Sequence, residues 1–581
     1  MKTIAFFSAV LIVSALQYFA VEIAAHSKNF KVKAKYILAG ILTYLLFDFA
    51  LLFLFNNIKI AYTAAALVTS VLAIANHYVY DMHGTPFTMD IIKNAGTALN
   101  VLSAYKIKIG APVIAVIISA AMQIYSANVW MAYAVTDLSR KHTAVFLLLF
   151  LLAFCGIYLK KNSLVTKDIV TWPWTKIISE AGYISGFVQS TVRLFNIVQP
   201  MDSYDEKETE QFVKNYKKSD KNTDKTPDII FILNETLFDL NKITETGEKT
   251  FEYINSLETA AKGYAVCPAV GGGTNKSEYE FLTSNSLYIA PNITPFYSLD
   301  TKGSNSVADF LKAKGYSTLA THPAPGSNYS RTAGYANLGF DKSCFIEDYT
   351  DVQHFGSRQF ATDESAYKNF IEMYENMGSG PRFAYLLTIQ NHGGYVFNKP
   401  EENTVNVAKD FGENMGKINE FLSCMQLSDK AFEKLVEYFE KSDREVIVCM
   451  MGDHAPDFAK NVIDSSFSEE EKELALRSVP YVIWSNRTDL SDVQLPEKLA
   501  VPFVAPLVCN IAGVNLCGYY EYILKLSEDV PVVTCYGVYA DKNGVRYSYS
   551  DKNSLTDSVK QYFDLCYSNV KKKDFMQNFT R

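Results

Sequence analysis

Long apolar stretches occupy the first part of the chain, at 4–25, 36–55, 60–80, 110–132 and 143–159. Each approaches the ~20 residues a helix needs to cross a ~30 Å hydrocarbon core, so five transmembrane helices are predicted. The first stretch has Lys2 as its only leading charge and no A-x-A site after a short core, so it reads as a retained span and not a signal peptide. Between the third and fourth spans, 91–105 is amphipathic and predicts an interfacial helix on the outer leaflet. After the fifth span, Trp172, Trp174 and Tyr183 suit a headgroup-level belt, and 176–198 predicts an amphipathic helix against the bilayer. Residues 203–225 are dense in Lys, Asp and Glu and read as a solvated connector with at most a short helix.

The pattern then changes. Short apolar runs at 229–233, 316–320, 383–388, 446–451 and 481–484 alternate with helical periodicity at 306–314, 365–377 and 428–441. Buried strands alternating with helices predict an α/β domain with a mainly parallel sheet. Residues 559–567 predict a further helix packed on the domain edge. The expected organisation is a transmembrane domain at 1–161, a juxtamembrane arm and linker at 162–227, the α/β domain at 228–540 and a C-terminal extension packed on it at 541–581.

Composition sharpens the division. The mean hydropathy of 0.00 averages two unlike parts. Residues 1–161 hold 13 Lys/Arg against 5 Asp/Glu, while the other 420 hold 42 against 57. A cationic, lipid-like part joined to an acidic, water-facing part excludes a simple cytosolic enzyme, a disordered chain and a nucleic-acid binder built on a basic face. Arg140 and Lys141 between spans four and five place that loop in the cytoplasm. Everything after the fifth span then faces outside, and the N-terminus lies inside. The loop 26–35, with Lys28, Lys31, Lys33 and Lys35, opposes this orientation, as do Lys160 and Lys161 unless they snorkel. Two acids, Glu22 and Asp48, fall within spans; their expected role is structural, near span ends or paired with neighbouring lysines.

Ligands of parallel α/β sheets bind beyond the carboxyl ends of the strands, so the residues that follow each apolar run matter most. The first run ends in Asn234-Glu235-Thr236, and 446–451 ends in Gly452-Asp453-His454. Asp453 and His454 offer a hard oxygen and an imidazole to one ion, or Asp453 is a turn residue capping the next helix. Gly271-Gly272-Gly273 allows close backbone approach, and Thr274 follows where a helix over 275–284 would begin. Thr274 is then either an N-cap or a nucleophile at a helix N-terminus, where orphan N–H groups attract phosphate. Among the later histidines, His322, His392 and His454 sit at strand ends, whereas His354 lies in a loop. Cys155 lies in a span; the other eight cysteines form no C-x-x-C pair.

These segments resemble the lipoteichoic acid synthase family, membrane-anchored phosphoglycerol transferases of the alkaline phosphatase/sulfatase superfamily. The segment from Asn234 to Asp239 resembles the family's first metal motif, Gly272 to Tyr279 its nucleophile motif, and Gly452-Asp453-His454 its closing metal motif. Asn328-Tyr329-Ser330-Arg331 resembles the stretch that supplies a substrate-binding Arg, and Gln390 to Tyr395 the headgroup-contacting His segment. Two departures are Gly273, where the family has a Lys, and Tyr329, where it has a Trp. The GGGT and QNHGGY forms are more similar to relatives that decorate wall polysaccharides.

The resemblance implies a divalent ion, Mn2+, held by Glu235, Thr274, Asp453 and His454; residue types alone equally allow Mg2+ or Zn2+. It implies catalytic roles for Thr274, His392, Arg331 and His322, and substrate contacts from Arg331, His392, His322, Asn391 and Tyr329. The implied reaction moves glycerol phosphate from phosphatidylglycerol, through a Thr-linked intermediate, to a teichoic acid polymer or wall glycan. The implied location is a multi-pass protein of a Gram-positive-type cell membrane with its catalytic domain outside. Alternatives are a phosphoethanolamine transferase, a sulfatase or phosphodiesterase, and an inactive membrane-anchored binding protein. Cys267-Pro268-Ala269-Val270 lacks the C/S-x-P-x-R context of a sulfatase nucleophile.

Overall fold

The computed structural model describes residues 2–25, 32–83, 86–89, 109–131, 140–159, 181–193, 198–219, 225–290 and 293–581. The interfacial segment 91–105, Lys28 and Lys31, Lys160 and Lys161, and Trp172 and Trp174 lie outside the described residues. The described part falls into two compact units, one within 1–197 and one within 198–581.

The first unit contains the helices Lys2–Ala25, Ala34–Phe55, Ile58–His83, Ala111–Ser126 and Arg140–Phe154. The last two continue into wider π turns, Ala127–Met131 and Cys155–Leu159. Among the described residues, five helices are long and apolar enough to cross a membrane. They expose Leu11, Ile12, Leu54, Val71, Ile117 and Leu152, side chains that suit contact with hydrocarbon. Asp48 is held by neutral donors instead of a lysine: Ser14 Oγ donates at 2.6 Å and Gln17 Nε2 at 3.0 Å. Glu22 accepts the backbone N–H groups of Tyr183 at 2.9 Å and Ile184 at 3.3 Å. Those donors open the helix Tyr183–Arg193, where N–H groups have no partner within the helix. That helix, expected against the bilayer surface, is instead largely buried, with Tyr183 and Ile184 packed among Tyr18, Val21 and Tyr44.

The second unit is built on strands β1 (Asp228–Asn234), β2 (Ala261–Val266), β3 (Ser317–Thr321), β4 (Lys342–Cys344), β5 (Arg382–Leu387), β6 (Val446–Gly452), β7 (Ser478–Ser485) and β8 (Lys498–Ala500). They form one sheet in the order β4-β3-β5-β1-β6-β7-β2-β8. Only β7 runs antiparallel to its neighbours; every other pair is parallel. β1, β5 and β6 are buried along their whole length, which is why they read as unbroken apolar runs.

Register gives the sheet its functional edge. Leu233 is level with Leu387 and Met451, and Thr321 with Leu386. The residues that step off these four adjacent strands, His322, Thr388, Glu235 and Asp453, therefore emerge along one edge.

The connector is largely solvated with one short helix, as expected, and two of its aromatic rings touch the rest of the unit. Its helix Glu206–Asn215 is capped by Asp205, and Phe212 and the following Tyr216 meet the rings of Tyr522 and Phe579 at centroid distances of 5.3–6.4 Å. Phe212 lies in the helix and Tyr216 just past its end, and their ring centres are 5.8 Å apart. At the far end, helix Thr556–Lys571 buries Tyr562, Phe563 and Leu565.

Candidate active site

Gly271, Gly272 and Gly273 take φ of 71°, 138° and 94°, values that disfavour any residue with a Cβ. A Cβ on Gly271 would lie 3.2 Å from the Asp457 Cα, a tight contact added to the unfavourable φ. Gly273 occupies the N-cap position and Thr274 is the first residue of the helix Thr274–Thr283, one residue earlier than expected. The capping alternative for Thr274 therefore does not occur. Its Oγ1 lies 3.2 Å from Glu235 Oε2 and 3.4 Å from His454 Nε2.

Glu235, Asp453 and His454 are all buried, and one ligand atom from each lies within 4.8 Å of the others. The donors are oriented by bonds behind them. Asp453 Oδ1 accepts the Thr236 N–H at 2.6 Å, and its backbone carbonyl accepts the Ser277 hydroxyl at 2.5 Å. His454 Nδ1 is 2.9 Å from the Ala455 carbonyl oxygen. That contact fixes the proton on Nδ1 and leaves the Nε2 lone pair for the site. Asp453 Oδ2 is buried without a hydrogen-bond partner and lies 3.2 Å from His454 Nε2. Burial, and then the Glu235 charge, push the Asp453 carboxyl up to about 6. Burial pulls the His454 pKa down, but Asp453 and Glu235 outweigh it and the net shift is upward. Two carboxylates, an imidazole and a hydroxyl around an orphaned buried oxygen fit a divalent cation.

A second group of side chains comes from the loop after β3. Tyr329 and Ser330 take φ of 54° and 57°, and Arg331 then starts the helix Arg331–Asn337. Arg331 is buried, and its Nε donates to Glu278 Oε2 at 3.0 Å. Glu278 also accepts the Tyr385 hydroxyl at 3.3 Å and a short bond from Tyr335. The Arg331 guanidinium lies 5.0 Å from the Tyr329 ring centre. Against its burial, the Glu278 charge keeps Arg331 firmly protonated. His322 Nδ1 is 3.0 Å from the Leu387 carbonyl oxygen; burial, then Arg331, hold its pKa well below the usual imidazole value.

His392 follows β5. Its Nδ1 is buried without a partner, its ring lies 5.0 Å from that of Phe360, and burial, then Arg358, lower its pKa to about 4. Asn391, expected at the substrate, is instead turned into the interior. Its Nδ2 donates to Asn234 Oδ1 at 3.0 Å and Ser428 Oγ at 2.9 Å, and its Oδ1 accepts from Gln390 at 3.0 Å. Adjacent residues of this segment point opposite ways, which a motif match does not reveal. The sequence reading also missed Arg358 and Glu420, buried partners 62 residues apart with no local pattern to betray them.

The family described as Sulfatase matches residues 227–500. That segment is a domain of the sulfatase/alkaline phosphatase superfamily. Among curated proteins, a Rhizobium meliloti protein named for cyclic beta-1,2-glucan modification is 26% identical over 333 residues, covering 55% of this chain and 50% of its own length. Lipoteichoic acid synthase 2 of Bacillus subtilis is 25% identical over 219 residues, 37% of this chain and 31% of its own. The chain thus spans half or less of these relatives' length. Among solved structures, the Streptococcus pyogenes phosphoglycerol transferase GacH, in complex with sn-glycerol-1-phosphate, has a TM-score of 0.52 at 17% identity over 66% of this chain and 99% of that one. The lipooligosaccharide phosphoethanolamine transferase EptA of Neisseria meningitidis has a TM-score of 0.51 at 11% identity over 87% and 95%. Both likenesses are of fold.

Proposed function

We propose that the chain is a metal-dependent phosphoglycerol transferase with phosphatidylglycerol as donor and a cell-envelope teichoic acid or glycan as acceptor. The observation that carries this reading is the Thr274 hydroxyl, presented by a three-glycine turn at a helix start within 3.4 Å of both Glu235 and His454. A cation held by Glu235, Asp453, His454 and Thr274, with Mn2+ expected and Mg2+ or Zn2+ compatible, would favour the alkoxide and neutralise phosphoryl charge.

Thr274 Oγ1 gives up its proton and attacks the donor phosphorus, forming an Oγ1–P bond as the P–O bond to diacylglycerol breaks and that leaving oxygen takes up the proton. An acceptor hydroxyl then attacks the same phosphorus, the P–Oγ1 bond breaks, and the proton lost by the acceptor returns to Thr274 Oγ1. Orphan N–H groups at the start of the Thr274 helix face the phosphoryl oxygens. Arg331 spends Nε on Glu278, and its terminal nitrogens suit a phosphate oxygen. Tyr329 stacks on that guanidinium and steadies it. His392 and His322 are neutral near pH 7, so each can bond a glycerol hydroxyl or relay a proton to the leaving or entering oxygen. A donor confined to a bilayer is met at high effective concentration by an enzyme anchored in the same bilayer.

Phosphoethanolamine transfer is the second reading, because the likeness to EptA extends over 87% of this chain. Purified full-length protein with Mn2+ and headgroup-labelled lipid separates the two. Diacylglycerol release and label transfer are expected with phosphatidylglycerol and not with phosphatidylethanolamine, and Thr274→Ala should abolish both. Absence of release, or a Thr274→Ala variant equal to wild type, would sink the proposal.

A further inference from the structure

Gln390 to Asn398 follows β5 without entering a helix or strand, yet it carries His392. A segment of this kind is mobile unless its backbone groups are tied down. Here four of them converge on one ion pair. Arg358 Nη2 donates to the carbonyl oxygens of Gln390 at 3.0 Å and His392 at 2.5 Å. Arg358 Nη1 donates to Glu420 Oε1, and Glu420 Oε2 accepts the N–H groups of Phe397 and Asn398, each at 3.1 Å. Both side chains are 1% exposed. The rings of Phe360, Tyr395 and Phe397 surround the guanidinium at 5.2–5.5 Å, and the Tyr395 hydroxyl donates to the Asn391 carbonyl at 2.6 Å.

We infer that the Arg358–Glu420 pair is a positioning device that fixes both ends of the 390–398 loop and thereby sets the His392 imidazole at the site. A pair kept only for stability has a simpler substitute, since buried ion pairs are often replaced by apolar side chains without loss. An apolar pair could not bind two carbonyls and two N–H groups at once. The planar fork of Arg358 is what allows a carboxylate and two carbonyls to share one side chain, and a lysine ammonium cannot span them. The inference rests on the proposed reading of His392 as a substrate-contacting residue.

The test is Arg358→Lys, alone and with His392→Ala, in the full-length metal-loaded protein. Arg358→Lys should lower kcat by about 10- to 100-fold, the usual cost of losing a group that orients a site residue. The double variant should be no slower than His392→Ala alone, because losses routed through one residue do not add. Diethylpyrocarbonate modification of His392, followed by mass spectrometry without substrate, should be faster in Arg358→Lys than in wild type. Glu420→Gln should repeat the pattern if Arg358→Lys does not fold. Wild-type kcat and modification rate in these variants, or losses that multiply in the double variant, would overturn the inference. If wild type releases no diacylglycerol from phosphatidylglycerol, the transfer reading falls, while the modification rate still decides the clamp.

Discussion

Asp453 and His454 bring opposite ionisation problems to one small volume. The Asp453 carboxyl titrates at about 6, above the ordinary value of about 3.9, so between those limits the folded protein binds more protons than the unfolded chain. Stability from this group therefore falls as pH rises through that window. The His454 pKa is raised, so the stability it adds is present below about 6.5 and is lost as pH rises through its folded value. Both terms weaken the metal-free protein toward alkaline pH. A cation needs both donors deprotonated, so its stabilisation grows in the same direction. The increase in Tm on adding Mn2+ should be greater at about pH 8 than at about pH 5.5. An equal or smaller increase at the higher pH would remove Asp453 and His454 from the ligand set. At this scale the sequence was most informative where a residue directly follows a buried strand: the backbone path dictates where Glu235 and Asp453 emerge. It was least informative for side-chain direction inside a loop, as with Asn391, and for partners such as Arg358 and Glu420, which meet only through the fold.

The strands that hold the site are continuous apolar runs, and that pattern is readable because burial on both faces demands it. β2 is different. In its sequence AKGYAV the first residue and the last two are buried and the three between them are not, which no simple period describes, and its place between β7 and β8 is set by pairing alone. The contact made by the connector is similarly opaque: it rests on two aromatic residues in a highly charged stretch. The turn before Thr274 is the element on which the proposed chemistry most depends. Gly271 has φ of 71°, and a Cβ there would crowd the Asp457 Cα at 3.2 Å. Gly271→Ala should cost about 1–3 kcal/mol by denaturant unfolding, the range for a residue forced into a sparsely populated conformation. Turnover should fall further than the stability change explains, since the strained turn aims Thr274. Unchanged stability and turnover would mean that the turn relaxes without consequence.

The five spans expected are an odd number, which would put the two ends of the first unit on opposite sides of the bilayer. Which end faces outside is decided by charge, and the charges conflict. Arg140 and Lys141 favour a cytoplasmic loop before the fifth span, while Lys33 and Lys35 would then sit outside after the first. Cysteine labelling resolves the conflict with little background. All eight cysteines of the second unit are buried, and burial raises the pKa of each thiol, so none presents a reactive thiolate. Lys552, Lys33 and Lys141 are exposed and make good reporter positions. Lys552→Cys and Lys33→Cys should react with a membrane-impermeant maleimide in intact cells, and Lys141→Cys only after permeabilisation. The reverse pattern would place the second unit in the cytoplasm. Thr274 would then have no access to wall glycans or teichoic acid, and the acceptor half of the proposed function would fail while the superfamily assignment stood. Transfer to an envelope acceptor thus depends as much on the four lysines of the first loop being tolerated outside as on any residue of the site.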